Sequence, residues 1–128
     1  MVVTETIQIC VHRGFNSQFL SVWKTIKAEI QLRVDSDDSV EEILITGHSL
    51  GGSLAALCAK ETAEFASQLN KKINLEVITF GAPRVGDSCF ATSIEKCQEK
   101  QQIQCFQRLC LGLISIFIDL DFDPAINY

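Results

Sequence analysis

The sequence has 128 residues, enough for one domain with a buried core, and its 47% hydrophobic and 21% charged residues exclude an intrinsically disordered chain. Its formal net charge of −5 argues against binding to nucleic acid or to an anionic membrane through a basic surface. The composition therefore favours a single globular domain that uses neither of these partners.

The start of the chain predicts a strand followed by a helix. We do not expect Met1–Cys10 to be a secretory signal, because it lacks a basic start and carries an acidic residue where an apolar core should be. Thr6–Val11 has the length and residue types of a β-strand, which His12-Arg13-Gly14 ends. From Asn16 onward, apolar residues recur every three or four positions, which predicts a helix with Asn16 or Ser17 as its N-cap. The apolar stripe comprises Phe15, Phe19, Val22, Trp23, Ile26, Ile30 and Val34.

The middle of the chain predicts a strand–helix–strand unit. An acidic turn at Asp35–Ser39 ends the first helix, and it lacks the spacing and the glycine of an EF-hand calcium loop. Glu42–Thr46 is predicted as a strand, Leu50 to about Leu69 as a helix, and Leu75–Phe80 as the next strand. Such units build parallel sheets with right-handed crossovers, so we predict an α/β fold. The apolar side of the second helix is assigned to Leu50, Leu54, Leu57, Cys58, Phe65 and Leu69.

The junction between that strand and that helix carries the motif G-x-S-x-G, formed by Gly47, His48, Ser49, Leu50 and Gly51. In a strand–turn–helix context this motif is typical of a nucleophile elbow, whose sharp turn strains the serine backbone and exposes its hydroxyl. We expect side chains two positions either side of the serine to collide, which would explain the glycines at positions 47 and 51.

The next part of the chain predicts a loop, a helix and a strand. Gly81–Gly86 follows a predicted strand, at the sheet edge where α/β proteins place their binding groups. Asp87 or Ser88 is a suitable N-cap for a short helix that runs to about Glu99. Ile103–Leu109 is predicted as a further strand.

Two further features bear on the cellular compartment. The apolar run Leu109–Ile118 has only ten residues, fewer than the ~18 that span a bilayer, and we interpret it as a buried strand. The six cysteines form no C-x-x-C pair, and histidine is too scarce to complete a zinc site. Cys58 is predicted to be a buried free thiol on a helix. We therefore expect a cytoplasmic protein with reduced cysteines and no transmembrane segment.

Three blocks of sequence stand out together: Val11–Phe15 (Val-His-Arg-Gly-Phe), Ile43–Ala56, and Thr79–Asp87 (Thr-Phe-Gly-Ala-Pro-Arg-Val-Gly-Asp), with Phe90 after the third. In their order and spacing they resemble the class 3 (fungal-type) lipases of the α/β-hydrolase superfamily. The third block is more specific to that family than the serine motif. The resemblance covers roughly residues 11–106.

The resemblance implies a partial α/β-hydrolase fold, with a mostly parallel sheet and flanking helices. Residues 1–128 would form a single, truncated lipase-like domain with a divergent tail at residues 107–128. The implied activity is that of a serine ester hydrolase, which cleaves acylglycerols or related lipids through an acyl-enzyme on Ser49. The backbone N–H of Leu50 would donate to the oxyanion, together with an N–H from an earlier loop. Neither a metal ion nor an organic cofactor is implied.

The general base of such a site is missing from the sequence. α/β-Hydrolases carry the catalytic histidine after the nucleophile and the acid, yet no histidine follows Ser49. His12 lies in a block where the family's histidine is not the base, and the elbow directs the side chain of His48 elsewhere. We therefore expect both histidines to have structural roles, in packing or in hydrogen bonds to the backbone.

The acid is also displaced from the family's position. The segment that should contain an Asp-x-Val-Pro motif reads Leu109–Ser115 and holds no aspartate. Asp123, followed by Pro124-Ala125-Ile126, is the candidate that comes nearest to the motif, and Asp119 and Asp121 are others. The alternative is that these aspartates belong to a polar, frayed chain end. Asp87 is explained by helix capping.

Two functional interpretations follow. The chain is a lipase-like hydrolase with a lipid or ester substrate, or it is a non-catalytic lipase fragment or pseudoenzyme that binds lipid or complements another chain. Both ends of the domain are expected to be missing, which would leave open sheet edges and favour self-association or pairing with a complementing chain. We expect that the 128 residues alone do not turn over esters, because the base is absent.

Overall fold

The computed structural model describes residues 8–69, 71–99 and 104–108 of the chain, with side chains described as far as Cys97. Helices and strands alternate along these ranges, which confirms the predicted α/β class. The elements are α1 (Arg13–Ser36), β1 (Glu42–His48), α2 (Leu50–Ala66), β2 (Asn74–Phe80), α3 (Ser88–Glu99) and β3 (Gln104–Arg108). These strands were all predicted, with ends that differ by at most two residues. The run Leu109–Ile118 and the tail beyond it lie outside the described residues.

The strands form a parallel sheet in the order β1-β2-β3. The register places His48 beside Phe80, and Phe80 beside Arg108, so all three strands end at the same edge. This confirms the predicted parallel strand–helix–strand unit, with α2 as the crossover between β1 and β2. Binding groups of α/β proteins lie at this carboxyl edge, where Ser49 immediately follows β1.

Helix α2 lies between the sheet and α1, so apolar residues are needed on more than one of its sides. The side that faces the sheet is made of small residues. Ala59 and Ala63 are 0% and 1% exposed, and they pack with Leu75 and Val77 of β2. Small side chains allow the helix and the sheet to approach closely without voids. A second cluster joins α1, α2, α3 and the loop after β2, and it comprises Phe19, Leu57, Val85 and Phe90.

Helix α1 begins at Arg13, earlier than predicted, because His12 is its N-cap. The Nδ1 atom of His12 accepts a hydrogen bond from the Phe15 N–H at 3.3 Å. Asn16 donates its backbone N–H to the His12 carbonyl at 2.9 Å, so it belongs to the first helical turn. The prediction of Asn16 or Ser17 as N-cap is therefore wrong. An imidazole nitrogen supplies the acceptor that an amide or hydroxyl oxygen usually provides.

The segment before α1 is not the regular strand predicted over residues 6–11. Residues 8–10 have no regular secondary structure, and residues 1–7 lie outside the described ranges. Val11 forms an isolated antiparallel bridge with Gly86. Its flanking hydrogen bonds run from the His12 N–H to the Val85 carbonyl at 2.7 Å and from the Asp87 N–H to the Cys10 carbonyl at 3.0 Å. Through these hydrogen bonds, residues 10–12 and the loop after β2 form a short antiparallel ladder.

The face of the sheet opposite α2 is open in the part of the chain that the structure describes. Burial alternates along β1, and Leu44, Thr46 and His48 are among its exposed members. Leu44 is 56% exposed, although it is a large apolar residue in a strand. Among the described strands, β1 is hydrogen-bonded only to β2. Both the outer edge of β1 and the adjoining apolar face are therefore open for contact.

The cysteines and the helices bear on two further predictions. The described cysteines Cys10, Cys58, Cys89 and Cys97 form no disulfide with one another. Cys58 is half-buried against the second cluster, and this burial raises the pKa of its thiol. The predicted free thiol on the apolar side of α2 is confirmed, but Cys58 is half-buried and not buried as predicted. Within the described ranges, no helix has the length and hydropathy to cross a bilayer.

Candidate active site

The turn between β1 and α2 has the backbone shape of a nucleophile elbow. Ser49, the residue between the strand and the helix, has φ 52° and ψ −124°. It is the only non-glycine residue with a positive φ in the described part of the chain. Such a conformation costs on the order of 1–3 kcal/mol, so neighbouring contacts must hold it. One of these contacts is the hydrogen bond from the Ser49 N–H to the Phe80 carbonyl of β2, at 2.9 Å.

Glycine is required on the strand side of this turn. A Cβ atom on Gly47 would lie 2.1 Å from the Gly51 carbonyl oxygen, where no side chain fits. This agrees with the expected collision on that side. The expectation for Gly51 is wrong, because a Cβ atom there would meet nothing within 4 Å.

The close approach on the helix side falls on Gly52. A Cβ atom at this position would lie 2.7 Å from the Ala82 Cβ. The contact partner is thus the loop after β2, which packs against the first turn of α2. The two consecutive glycines therefore differ in their surroundings. A side chain at Gly51 would point into open space, whereas the lack of a side chain at Gly52 allows the loop to pack against the helix.

The first turn of α2 presents its backbone donors beside Ser49. The Ser49 carbonyl accepts the N–H of Gly52 at 2.9 Å and that of Ser53 at 3.3 Å. The N–H of Leu50 precedes both of these and, as in any helix, has no acceptor within the helix. No acidic residue occupies this turn. Leu50 is 41% exposed, so its predicted place on the buried side of the helix is wrong. A helix start of this kind favours a developing negative charge.

A buried hydroxyl connects the elbow to the loop after β2. The side chain of Ser53 is 0% exposed, and its Oγ donates to the Pro83 carbonyl at 2.8 Å. The loop itself turns at Gly81, which has a φ of 55°. Because Ser53 lies one turn after Ser49, this bond fixes the position of the helix start relative to the carboxyl end of β2. Ser53 is not among the predicted site residues.

Neither histidine of the chain is positioned as a base for Ser49. The Nδ1 atom of His12 is engaged at the cap of α1, and its ring packs on Phe15 with centroids 4.2 Å apart. The predicted structural role of His12 is confirmed. His48 belongs to the exposed set of β1, on the sheet face opposite α2. Strand alternation therefore turns it away from the side on which α2 begins.

Asp87 is a structural residue, as predicted. Its Oδ1 accepts the Phe90 N–H at 2.8 Å at the start of α3, and its Oδ2 accepts the Cys10 N–H at 3.2 Å. These hydrogen bonds, with the Phe90 bond as the largest cause, lower the pKa of the Asp87 carboxyl. Asp123, Asp119 and Asp121, the candidates for the triad acid, lie outside the described residues. No cluster of three metal-ligating side chains occurs in the described part of the chain.

Comparison with known proteins identifies the family. A family profile described as "Lipase (class 3)" matches residues 2–109. The chain belongs to the class 3 lipase family. The matched range includes Ser49, the glycines of the elbow and the loop that begins at Gly81. The predicted family is thereby confirmed.

Similar proteins come from plants and fungi. The chain is 42% identical over 74 residues to phospholipase A1-Igamma2, chloroplastic, of Arabidopsis thaliana, a match that covers 56% of this chain and 14% of that protein. It is 34% identical over 85 residues to a lipase of Rhizopus niveus, which covers 66% of this chain and 21% of that lipase. The chain thus spans less than a quarter of the length of either relative.

A solved lipase structure has the same fold. The crystal structure of the lipase from Rhizopus microsporus var. chinensis aligns with a TM-score of 0.68 and 28% sequence identity. The alignment covers 85% of this chain and 36% of that chain. This class 3 lipase chain therefore has a partial α/β-hydrolase fold, as predicted.

Two contacts of the class 3 lipase site were not predicted, although the sequence contains a signal for one of them. Ser53 follows the two glycines on a helix whose buried side chains are otherwise apolar except for Thr62, and a polar residue in such a place usually requires a buried partner. The Phe80 carbonyl, which receives the Ser49 N–H, leaves no such signal, because a backbone acceptor is independent of residue type.

Proposed function

We propose that this chain supplies the nucleophile of a lipid ester hydrolase, with Ser49 as the attacking residue and the Leu50 N–H as one oxyanion donor. The observation that carries the proposal is the strained serine, exposed to solvent, at the start of α2 in a class 3 lipase chain. The substrate class is drawn from the relatives, which are named as lipases and a phospholipase A1. It is the ester bond of an acylglycerol or a related lipid.

The proposed chemistry is acyl transfer through a covalent intermediate. The Ser49 Oγ forms a bond to the ester carbonyl carbon and gives its proton to a base, while the carbonyl electron pair moves to the oxygen. The resulting oxyanion lies opposite the Leu50 N–H, and removal of one such donor costs about 10²–10³ in rate. Loss of the alcohol leaves an acyl group on Ser49, which water then removes.

The base for this reaction comes, in our proposal, from polypeptide outside these 128 residues. The sequence contains only His12 and His48. His12 caps α1, and His48 lies on the opposite face of the sheet. A serine without its base loses about 10⁴–10⁶ in rate, so the chain alone should be almost inert.

An external base tests the nucleophile directly. Imidazole in solution replaces the missing side chain while the purified chain reacts with p-nitrophenyl octanoate, and the acylated serine is identified by peptide mass spectrometry. We expect an octanoyl group on Ser49, in amounts that rise with imidazole. The exposed residues Ser39 and Ser67 serve as internal references, and Ser49→Ala is the matched control. Equal acylation of the three serines would refute the role of Ser49.

A second candidate role is chain complementation, which is favoured by the open side of β1. Leu44 is 56% exposed there, and β1 has one strand partner among the described strands. A surface of this kind binds a strand with an apolar face, from a second copy or from another lipase-like chain.

Sedimentation of matched lysine variants tests this second role. Leu44→Lys places a charge on the open face, whereas Leu32→Lys does so on α1 at a side chain of similar exposure, 59%. We expect the unmodified chain and Leu32→Lys to form oligomers, and Leu44→Lys to shift toward monomer. A monomeric unmodified chain with a sharp melting transition would contradict this role.

A further inference from the structure

One carboxylate brings two cysteines together at the start of α3. Asp87 lies opposite Cys10 in the short antiparallel ladder, with its N–H donating to the Cys10 carbonyl at 3.0 Å. Its Oδ2 in turn accepts the Cys10 N–H at 3.2 Å. Cys89 follows two residues later, in the first turn of α3, and its N–H faces the same carboxylate. Cys10 and Cys89 are therefore neighbours on two sides of one side chain.

Both cysteines carry a free thiol that is partly accessible to small molecules. Both residues are half-buried, so part of each side chain faces solvent. The Asp87 carboxylate accepts the Cys10 N–H, and burial, followed by the negative charge of this carboxylate and then by the nearby Cys89, raises the pKa of the Cys10 thiol. By contrast, Cys58 packs against the core and contacts the Thr62 hydroxyl at 3.7 Å.

We propose that Cys10 and Cys89 form a redox modification site, which a small-molecule disulfide such as oxidised glutathione converts into an internal disulfide. One cysteine thiolate attacks the glutathione disulfide, and the first glutathione thiolate leaves. The second cysteine thiolate then attacks the mixed disulfide and releases the second glutathione. One protein S–S bond forms, one glutathione S–S bond breaks, and the two cysteine protons end on two glutathione thiols.

The new bond ties the segment before α1 to the first turn of α3. It lies beside the Val11–Gly86 bridge and the bond from the His12 N–H to the Val85 carbonyl. Oxidation would therefore tether the end of the loop that packs on the start of α2. This inference is independent of the proposed hydrolase function, because it requires only the ladder and the two thiols.

Disulfide mapping of the 128-residue chain tests the proposal. The dilute chain is incubated with oxidised glutathione, remaining thiols are alkylated, and the peptides are analysed by mass spectrometry without reduction. An internal pair has an effective concentration of about 1 mM, so at about 1 μM protein it should exceed intermolecular links by about 1,000-fold. We expect a Cys10–Cys89 link that dithiothreitol removes. Cys58→Ser should form it unchanged, whereas Cys10→Ser and Cys89→Ser should not.

A parallel reaction in urea separates the folded geometry from chance pairing. The two cysteines are far apart in the sequence, so unfolding should abolish the preference for this link. The proposal is overturned by stable glutathione adducts on both cysteines, by preferential links to any other cysteine, or by an equal yield of the Cys10–Cys89 link in urea.

Discussion

The glycines of the elbow provide a sharp test, since the structure assigns opposite outcomes to the same substitution at positions four residues apart. In Gly47→Ala, the new methyl group would lie 2.1 Å from the Gly51 carbonyl oxygen and 2.3 Å from its carbonyl carbon. In Gly51→Ala, it would meet nothing within 4 Å. Both substitutions add one methyl group, so each is the natural control for the other.

The expected changes in the free energy of unfolding follow from these contacts. To restore an ordinary contact distance at Gly47, the backbone of the turn must move by more than 1 Å. The obstructing atoms belong to the backbone, so they cannot rotate away as a side chain could. Overpacking and strain of this kind cost about 3 kcal/mol or more. Gly51 lies in the first turn of α2, where alanine is favoured over glycine by up to about 1 kcal/mol. The two variants should therefore differ by about 4 kcal/mol in the free energy of unfolding.

Urea unfolding followed by circular dichroism measures this difference. With a slope of about 1–3 kcal/mol per molar urea, the midpoints should be separated by at least about 1.3 M, with Gly51→Ala the more stable. The unmodified chain should lie between the two variants. Midpoints for Gly47→Ala and Gly51→Ala that agree within about 0.5 M would refute the steric account of the elbow.

Two further variants test the contacts around the site. Ser53→Ala should cost about 1–3 kcal/mol, because it leaves the Pro83 carbonyl without its donor, whereas the exposed hydroxyl control Ser67→Ala should cost under about 0.5 kcal/mol in the same assay. Asp87 has a lowered pKa in the folded chain, so its contribution to stability is present above the ordinary carboxyl pKa of about 3.9 and is lost as the pH falls through the lowered value. Asp87→Asn should therefore flatten the decline in melting temperature on acidification, and an unchanged acid profile would contradict the capping role.

Local sequence patterns determined most of the fold. The runs at β1 and β2 are rich in β-branched residues and are separated by a helix with small inward residues, so the parallel unit follows from short-range pattern alone. The exposed serine turn also follows, because its motif lies between those elements. The cap on α3 was predictable because aspartate is a preferred N-cap residue.

Contacts between distant segments were the part that sequence could not supply. The ladder from Cys10 to His12 forms with a loop more than seventy residues away in the sequence. Local sequence does not contain this partner, and it predicts a regular strand instead. The need for Gly52 arises from Ala82, which has no relation to it in sequence. His12 was missed as a cap because its role depends on the ring orientation that packing on Phe15 sets. In the first two cases the deciding partner is a tertiary neighbour, whereas Phe15 is only three residues from His12.

We propose that Ser49 acts as a nucleophile but depends on a base from outside this sequence. The most direct measurement is the rate at which a fluorophosphonate probe labels Ser49 in the purified chain, compared with an intact fungal lipase under the same conditions. Without its base, Ser49 should react about 10⁴-fold or more slowly than the serine of the intact enzyme. Labelling of Ser49 at a rate close to that of the intact lipase would contradict the claim.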